Sequence, residues 1–203
     1  MLLRLKLERT HIPSIGSMPL VTPSPTPATR HHPLAPLAIL KKGAKYVIVQ
    51  GVPPTGCLPL VLTLSPDNDR DEIGCVGSAN KEAYNYNAIL QAKLKNLRVQ
   101  FPHAVIVYAD YWNAYHTVMK NADHYGFKKS LRACCGSGEE PYNYDLFAAC
   151  GSPSTSSCPN PWQYINWDGV HLTEAMYKVL AEMFIKGTFC HPSFKYLLSR
   201  KQG

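Results

Sequence analysis

The sequence predicts an α/β fold, and three observations carry that expectation. Tyr46-Val47-Ile48-Val49 is an apolar, β-branched-rich run that stops at Gly51, Pro53, Pro54 and Gly56, the pattern of a buried strand ending in a loop. Ala104 to Ala109 is a second such run and ends in the same way at Asp110. Between the two, Ala83, Asn87, Leu90, Leu94, Leu97 and Phe101 recur at alternating spacings of four and three. That period lines one face of a helix, which stops before Pro102. Two apolar strands joined by a long helical crossover form a parallel pair buried on both faces. Binding sites in such sheets lie beyond the carboxyl ends of the strands, so the Gly51–Gly56 loop and the chain after Asp110 are expected to line any site.

The remaining elements follow in order along the chain. Residues 1–40 are expected to be a Pro-rich basic tail: Pro19, Pro23, Pro25, Pro27, Pro33 and Pro36 deny regular hydrogen bonding and favour extended, solvated chain. Arg4, Lys6, Glu8 and Arg9 interrupt the apolar residues near the start, so no signal peptide is legible there. The folded body is expected over 41–192. A helix covers about 111–121 with Tyr111, Tyr115, Val118 and Met119 inward. Residues 122–172 carry Gly, Ser, Pro and Cys without a period and read as a long loop held by disulfides. A last helix starts near Glu174 with Thr173 as N-cap, presents Met176, Val179, Leu180, Met183 and Phe184, and stops at Gly187. Residues 193–203 read as a basic C-terminal tail. No run approaches the 18 consecutive apolar residues of a membrane span, and there is no internal repeat.

The net charge of +7 points to nucleic acid only until it is located. Residues 1–45 hold seven Lys/Arg against Glu8 alone; residues 46–203 hold fourteen against thirteen acids. The body is nearly neutral and lacks the basic stripe with stacking groups that phosphate binding needs, so no nucleic-acid partner is expected. The seven cysteines, Cys57, Cys75, Cys134, Cys135, Cys150, Cys158 and Cys190, all follow position 56. Their gaps do not match the paired short spacings of structural zinc sites, which favours disulfides, an oxidising compartment and at least one thiol left over. His31, His32 and His191 lack metal-ligand companions, and neither a metal nor a cofactor is expected.

The chemistry concentrates in Asn166-Trp167-Asp168-Gly169-Val170-His171-Leu172-Thr173. An imidazole takes a proton from a hydroxyl nucleophile when its other nitrogen is held in the right tautomer, and a carboxylate three residues away across a tight turn can hold it. Asp168 and His171 have that spacing. Taken alone, the same spacing also describes an Asp that caps a turn beside a surface His. Tyr84, Tyr86 and Trp112 read as packing aromatics rather than a substrate box, and Asn87 as a hydrogen-bonded polar group in the core.

Gly43 to Val49, Gly51 to Pro59, Asn80 to Leu97, Val107 to Tyr111, Tyr125-Gly126-Phe127, Cys134-Cys135-Gly136, Cys150-Gly151 and Trp167 to Thr173 form an ordered set of matches along the body. In these the chain resembles the plant GDSL-type esterase/lipase family of the SGNH hydrolase superfamily. It covers roughly 43–192. It implies a three-layer α/β/α sandwich, flavodoxin-like, around a mainly parallel five-stranded sheet. It also implies secretion and hydrolysis of acyl esters of lipids or small alcohols by a Ser-His-Asp triad. By position, His171 is then the general base and Asp168 its orienting carboxylate. The family's Gly-Asp-Ser-Leu and Gly-x-Asn-Asp blocks, which supply the nucleophile and oxyanion donors, are absent from these 203 residues: Ser14 to Met18 does not match the first, and Asp67-Asn68-Asp69 stands in the wrong order for the second.

Loss of the serine alone costs on the order of a millionfold in turnover, and the residual rate rests on an intact oxyanion hole. This polypeptide is therefore expected to lack esterase activity, as a truncated form without the N-terminal strands. One strand of the parallel pair should show an open edge and an uncovered apolar face. A secreted, non-catalytic ligand-binding protein and an unstable truncated product are the rival readings.

Overall fold

The computed structural model describes residues 35–186 and 188–202. The expected tail as far as residue 34, with His31 and His32, lies outside the described residues, as does Gly187, the expected stop of the last helix. Residues 35–40 of that tail are helical instead of extended: α1 spans Ala35–Lys41. Pro36 is compatible with this because its missing N–H falls in the first turn, where amides have no intrahelical partner. The helix closes on Gly43, whose φ of 90° is left-handed and whose amide donates to the Leu40 carbonyl at 2.9 Å.

Residues 45–203 form a unit of their own. Strand β1 (Tyr46–Gln50) runs parallel to β2 (Val105–Ala109), in register from Tyr46 opposite Val105 to Gln50 opposite Ala109. They are joined by the short helix α2 (Pro59–Leu64) and the long α3 (Gly77–Gln100). The expected helix face is the buried one: Ala83, Asn87, Leu90, Leu94 and Leu97, extended upstream by Asn80. The third strand, β7 (Cys190–His191), pairs with β2 antiparallel, so the sheet order is β1-β2-β7. The α/β class holds, with a mixed three-stranded sheet among the described residues in place of five mainly parallel strands.

Burial on both faces holds for β2, where Ile106 to Ala109 are all buried, and fails for β1. There Val47 and Val49 point into the core while Tyr46 and Ile48 stay 39% and 42% exposed. Four apolar residues in a row cannot say which face is covered; the neighbours decide that. Among the described residues, strand β1 lies at one edge of this sheet and β7 at the other.

Helix α4 (Tyr111–Lys120) follows β2, with the Asp110 carboxylate accepting from the Asn113 amide at 3.2 Å as N-cap. Tyr111, Tyr115, Val118 and Met119 all turn inward. The stretch 122–172 is held by disulfides as expected, Cys134 to Cys158 and Cys135 to Cys150, but it is not all loop. Strand β3 (Lys129–Ala133) pairs parallel with β6 (Tyr164–Asn166), and β4 (Cys135–Gly136) pairs antiparallel with β5 (Ser156–Ser157). These strands are two to five residues long and carry mixed polarity, too short for a period to show. Helix α5 (Glu174–Ile185) completes the main core, in which Tyr115, Val118, Phe127, Ile165, Met176 and Leu180 meet. The residues read as a basic C-terminal tail contain α6 (Phe194–Gln202), whose Leu197 packs with Val107, Ala109 and Cys190.

Three disulfides join Cys57 to Cys75, Cys134 to Cys158 and Cys135 to Cys150. The thiol left over is the buried Cys190, whose pKa burial pushes up to about 11.

Candidate active site

Strand β6 ends at Asn166, which is fully buried. Its side-chain amide donates to the Ser130 carbonyl at 2.9 Å, and its Oδ1 accepts from the Tyr115 hydroxyl at 3.3 Å. The chain then makes a tight loop from Trp167 to Leu172. Its base is pinned where the Trp167 amide donates to the His171 carbonyl (2.8 Å) and the Thr173 amide to the Ile165 carbonyl (2.9 Å). Thr173 also begins α5 as the sequence predicts: its Oγ1 accepts from the Met176 amide at 3.2 Å while donating to the Tyr164 carbonyl at 2.7 Å. On the outer side, the amides of the half-cystines Cys134 and Cys135 donate to the Asn166 and Trp167 carbonyls. The Leu60 amide of α2 donates to the Gly169 carbonyl at 3.1 Å. Glycine is required at 169 by close approach, because a Cβ there would collide with the Tyr144 ring.

This clamped loop brings the two predicted residues together. Asp168 Oδ2 lies 2.8 Å from His171 Nδ1. Its other oxygen, Oδ1, accepts the backbone amides of Val170 (2.8 Å) and His171 (2.7 Å). Burial alone would raise the Asp168 pKa, but the two amides and the imidazole outweigh it and hold the carboxyl below its ordinary value. The side chain of Asp168 is 23% exposed and that of His171 67%. Held at Nδ1 by a carboxylate, the largely exposed ring has no hydrogen-bond partner at its second nitrogen, Nε2, among the described residues. An imidazole so oriented, with its Nδ1–H on a carboxylate, has a free lone pair that can accept a proton.

Beside the pair lies a cavity of about 160 Å³, walled by Tyr144, Leu146, Ala148, Ala149, Val170 and His171 among others. The Cys135–Cys150 bridge closes the loop that forms its outer wall. No serine is among the described residues that line it.

A family model for GDSL-like lipases and acylhydrolases matches residues 22–184. This chain belongs to the GDSL lipase/acylhydrolase family. Among curated GDSL relatives, the GDSL esterase/lipase At3g48460 of Arabidopsis thaliana is 56% identical over 163 residues, 80% of this chain and 42% of that protein. Acetylajmalan esterase 2 of Rauvolfia serpentina is 44% identical over 147 residues, covering 72% of this chain and 40% of its own length. Acetylajmalan esterase 1 from the same plant is 41% identical over 170 residues, covering 83% and 43%. The chain thus spans about two fifths of the length of the curated relatives it matches. The GDSL match begins upstream of Gly43, where the motif resemblance starts, and takes in part of the Pro-rich segment.

Two features of this GDSL domain escaped the sequence reading. Asn80, seven residues before Asn87 on the same helix face, accepts the Gly56 amide at 2.9 Å and donates to Asp71 Oδ2 at 2.9 Å. Asn87 accepts the Val52 amide at 2.9 Å and donates to the Val52 carbonyl at 2.8 Å, the core role expected of it. Together they hold the Gly51–Gly56 loop to α3. The spacing of two asparagines on an apolar face was the available signal. The aromatics are the second feature: Tyr84 and Tyr86 are each 53% exposed, because they fall on the solvent side of the helix. The packing expected of them is limited to the edge-on contact of Tyr84 with Trp112 at 5.1 Å, Trp112 itself being stacked on His116.

Proposed function

We propose that this chain carries the proton-transfer half of a carboxylic-ester hydrolase, with His171 as general base and Asp168 as the carboxylate that orients it. In the full domain, which we take to be the three-layer α/β/α sandwich, the attacking serine and the oxyanion donors come from the part of the relatives' length that this sequence does not contain. His171 Nε2 accepts the serine proton as the hydroxyl attacks the acyl carbon, and returns it to the departing alcohol. Asp168 holds the Nδ1–H tautomer and stabilises the imidazolium without being protonated itself. The substrates are small-molecule acyl esters, and the three disulfides support an extracellular setting.

One observation carries this reading: the 2.8 Å contact of Asp168 Oδ2 with His171 Nδ1, with Oδ1 already occupied by two amides. The expected result is that the pure 203-residue chain is not labelled stoichiometrically by a serine-directed fluorophosphonate and cleaves p-nitrophenyl esters no faster than buffer. Supplying the missing N-terminal part of a close relative on the same polypeptide is expected to yield both labelling and turnover. His171→Ala in that fusion should remove turnover. Undiminished turnover in that variant would overturn the assignment, as would steady ester cleavage by the isolated chain.

A further inference from the structure

At the carboxyl end of β2, between α3 and the start of α4, lies a second cavity of about 200 Å³, separate in its lining from the one beside His171. Its walls include Tyr84, Asn87, Tyr108, Asp110 and Trp112. Two polar atoms of these walls, Tyr108 Oη and Trp112 Nε1, are buried and have no hydrogen-bond partner among the described residues. Tyr108 is 2% exposed. Buried polar groups are nearly always paired, so two unpaired ones at the same groove ask for a ligand or a water that completes them. The site also lies where ligands bind in open α/β sheets, beyond the carboxyl ends of parallel strands.

We propose that this groove binds a neutral, hydroxyl-bearing ring, a single sugar residue by chemical class. Trp112 is stacked on His116 at 4.6 Å between ring centroids and is met edge-on by Tyr84 at 5.1 Å. Tyr84, Tyr108 and Trp112 place three aromatic side chains in the lining, the kind of wall against which the apolar face of such a ring packs. The Trp112 indole N–H requires an acceptor, and the Tyr108 hydroxyl takes either role. One hydroxylated ring supplies both kinds of group. Asp110 places a carboxylate in the lining and no Lys or Arg balances it, which disfavours phosphates and carboxylates. Asp110 is itself engaged, its Oδ2 accepting from Asn113 Nδ2 at 2.7 Å, and so offers little to a cation. Tyr84 packs on Trp112 and is still 53% exposed, which leaves part of its ring as an outer wall of the groove. This inference stands apart from the ester-cleavage reading, because it concerns binding to the chain as it is.

The test follows the indole N–H resonance of Trp112, assigned by its loss in Trp112→Phe, in ¹H–¹⁵N spectra of the whole chain during titration with methyl glucoside and methyl xyloside. A saturable shift with Kd on the order of millimolar is expected. Tyr108→Phe, which removes one oxygen and leaves the ring, is expected to weaken it at least about tenfold. The rest of the spectrum reports whether that variant is folded; should it not be, Gln91→Ala, at another lining residue of the groove, is expected to weaken the shift, and unchanged affinity there would overturn the proposal. Absence of any saturable shift with both glycosides would overturn the proposal. So would equal affinity in folded Tyr108→Phe, or a response to tetramethylammonium with none to the sugars.

Discussion

Replacing Asn87 by Ala removes the amide that spans both backbone polar groups of Val52, at 2.9 and 2.8 Å. Asn87 is 3% exposed and Val52 half-buried, so water only partly replaces what is lost. A buried group left unpaired costs about 1–3 kcal/mol; two groups, one partly rehydrated, bring the expected loss to about 2–4 kcal/mol. Against the 5–15 kcal/mol that ordinary domains have in all, that is a large fraction, and it lowers Tm by roughly 10 °C for a domain of this length. Asn87→Asp separates the two bonds. The introduced carboxylate still accepts the Val52 amide but faces the Val52 carbonyl, oxygen against oxygen, unless it is protonated. Its folded pKa is therefore raised above the unfolded value of about 4. A raised pKa contributes stability that is present below the unfolded value and lost as pH rises through the folded one. The deficit of this variant should be small near pH 3 and grow toward pH 7, whereas that of Asn87→Ala should not depend on pH. Urea titrations at several pH values, disulfides intact, measure both. A loss under about 0.5 kcal/mol for Asn87→Ala, within the usual range of a surface change, would refute the view that α3 holds the loop through this residue.

Other expectations concern the site and its supports. Gly56→Ala sets a Cβ against the Val76 backbone carbonyl, and Gly169→Ala sets one against the Tyr144 side chain. Overpacking of about 1–3 kcal/mol is expected for each, larger at 56 because backbone yields less than a ring, as thermal melts will show. Asp168 has its pKa lowered, first against burial and then by two amides and the imidazole. Its stabilisation is present above the unfolded carboxylate pKa and lost as pH falls through the folded value, so the stability gap between the native chain and Asp168→Ala should close in acid. Cys57 and Cys75 are fully buried, while Cys150 and Cys158 are half-buried. Mild reduction followed by alkylation and mass spectrometry should therefore open the bridges to Cys150 and Cys158 before Cys57–Cys75, each at a stability cost of about 3 kcal/mol.

The parallel pair, its crossover helix and the start of α5 were legible because long periods and one capping threonine announce them. Asp168 and His171 were legible because three residues suffice to make the contact, and the turn between them is local. What escaped depends on partners distant in the chain. Lys129–Ala133 becomes a strand only because Tyr164–Asn166 lies beside it, and neither run is apolar enough to declare itself. Tyr46 and Ile48 look identical in sequence to Val47 and Val49, and only the packing on each face separates them. The disulfide pairing was equally hidden, since the order of cysteines along the chain does not say which sulfurs meet. For Leu197 the difficulty was composition: three basic residues in its neighbourhood mask a single apolar contact with the sheet.

The Asp168 carboxylate is spoken for on one side by its own turn, which leaves a single oxygen and a single direction for the ring it steadies. The bonds that set this aim lie within four consecutive residues, and the turn that holds them is clamped from outside by the amides of Leu60, Cys134 and Cys135. If His171 is the base proposed above, the ring is oriented by this turn before any nucleophile approaches it, and a serine arriving from any other segment would find that orientation already set.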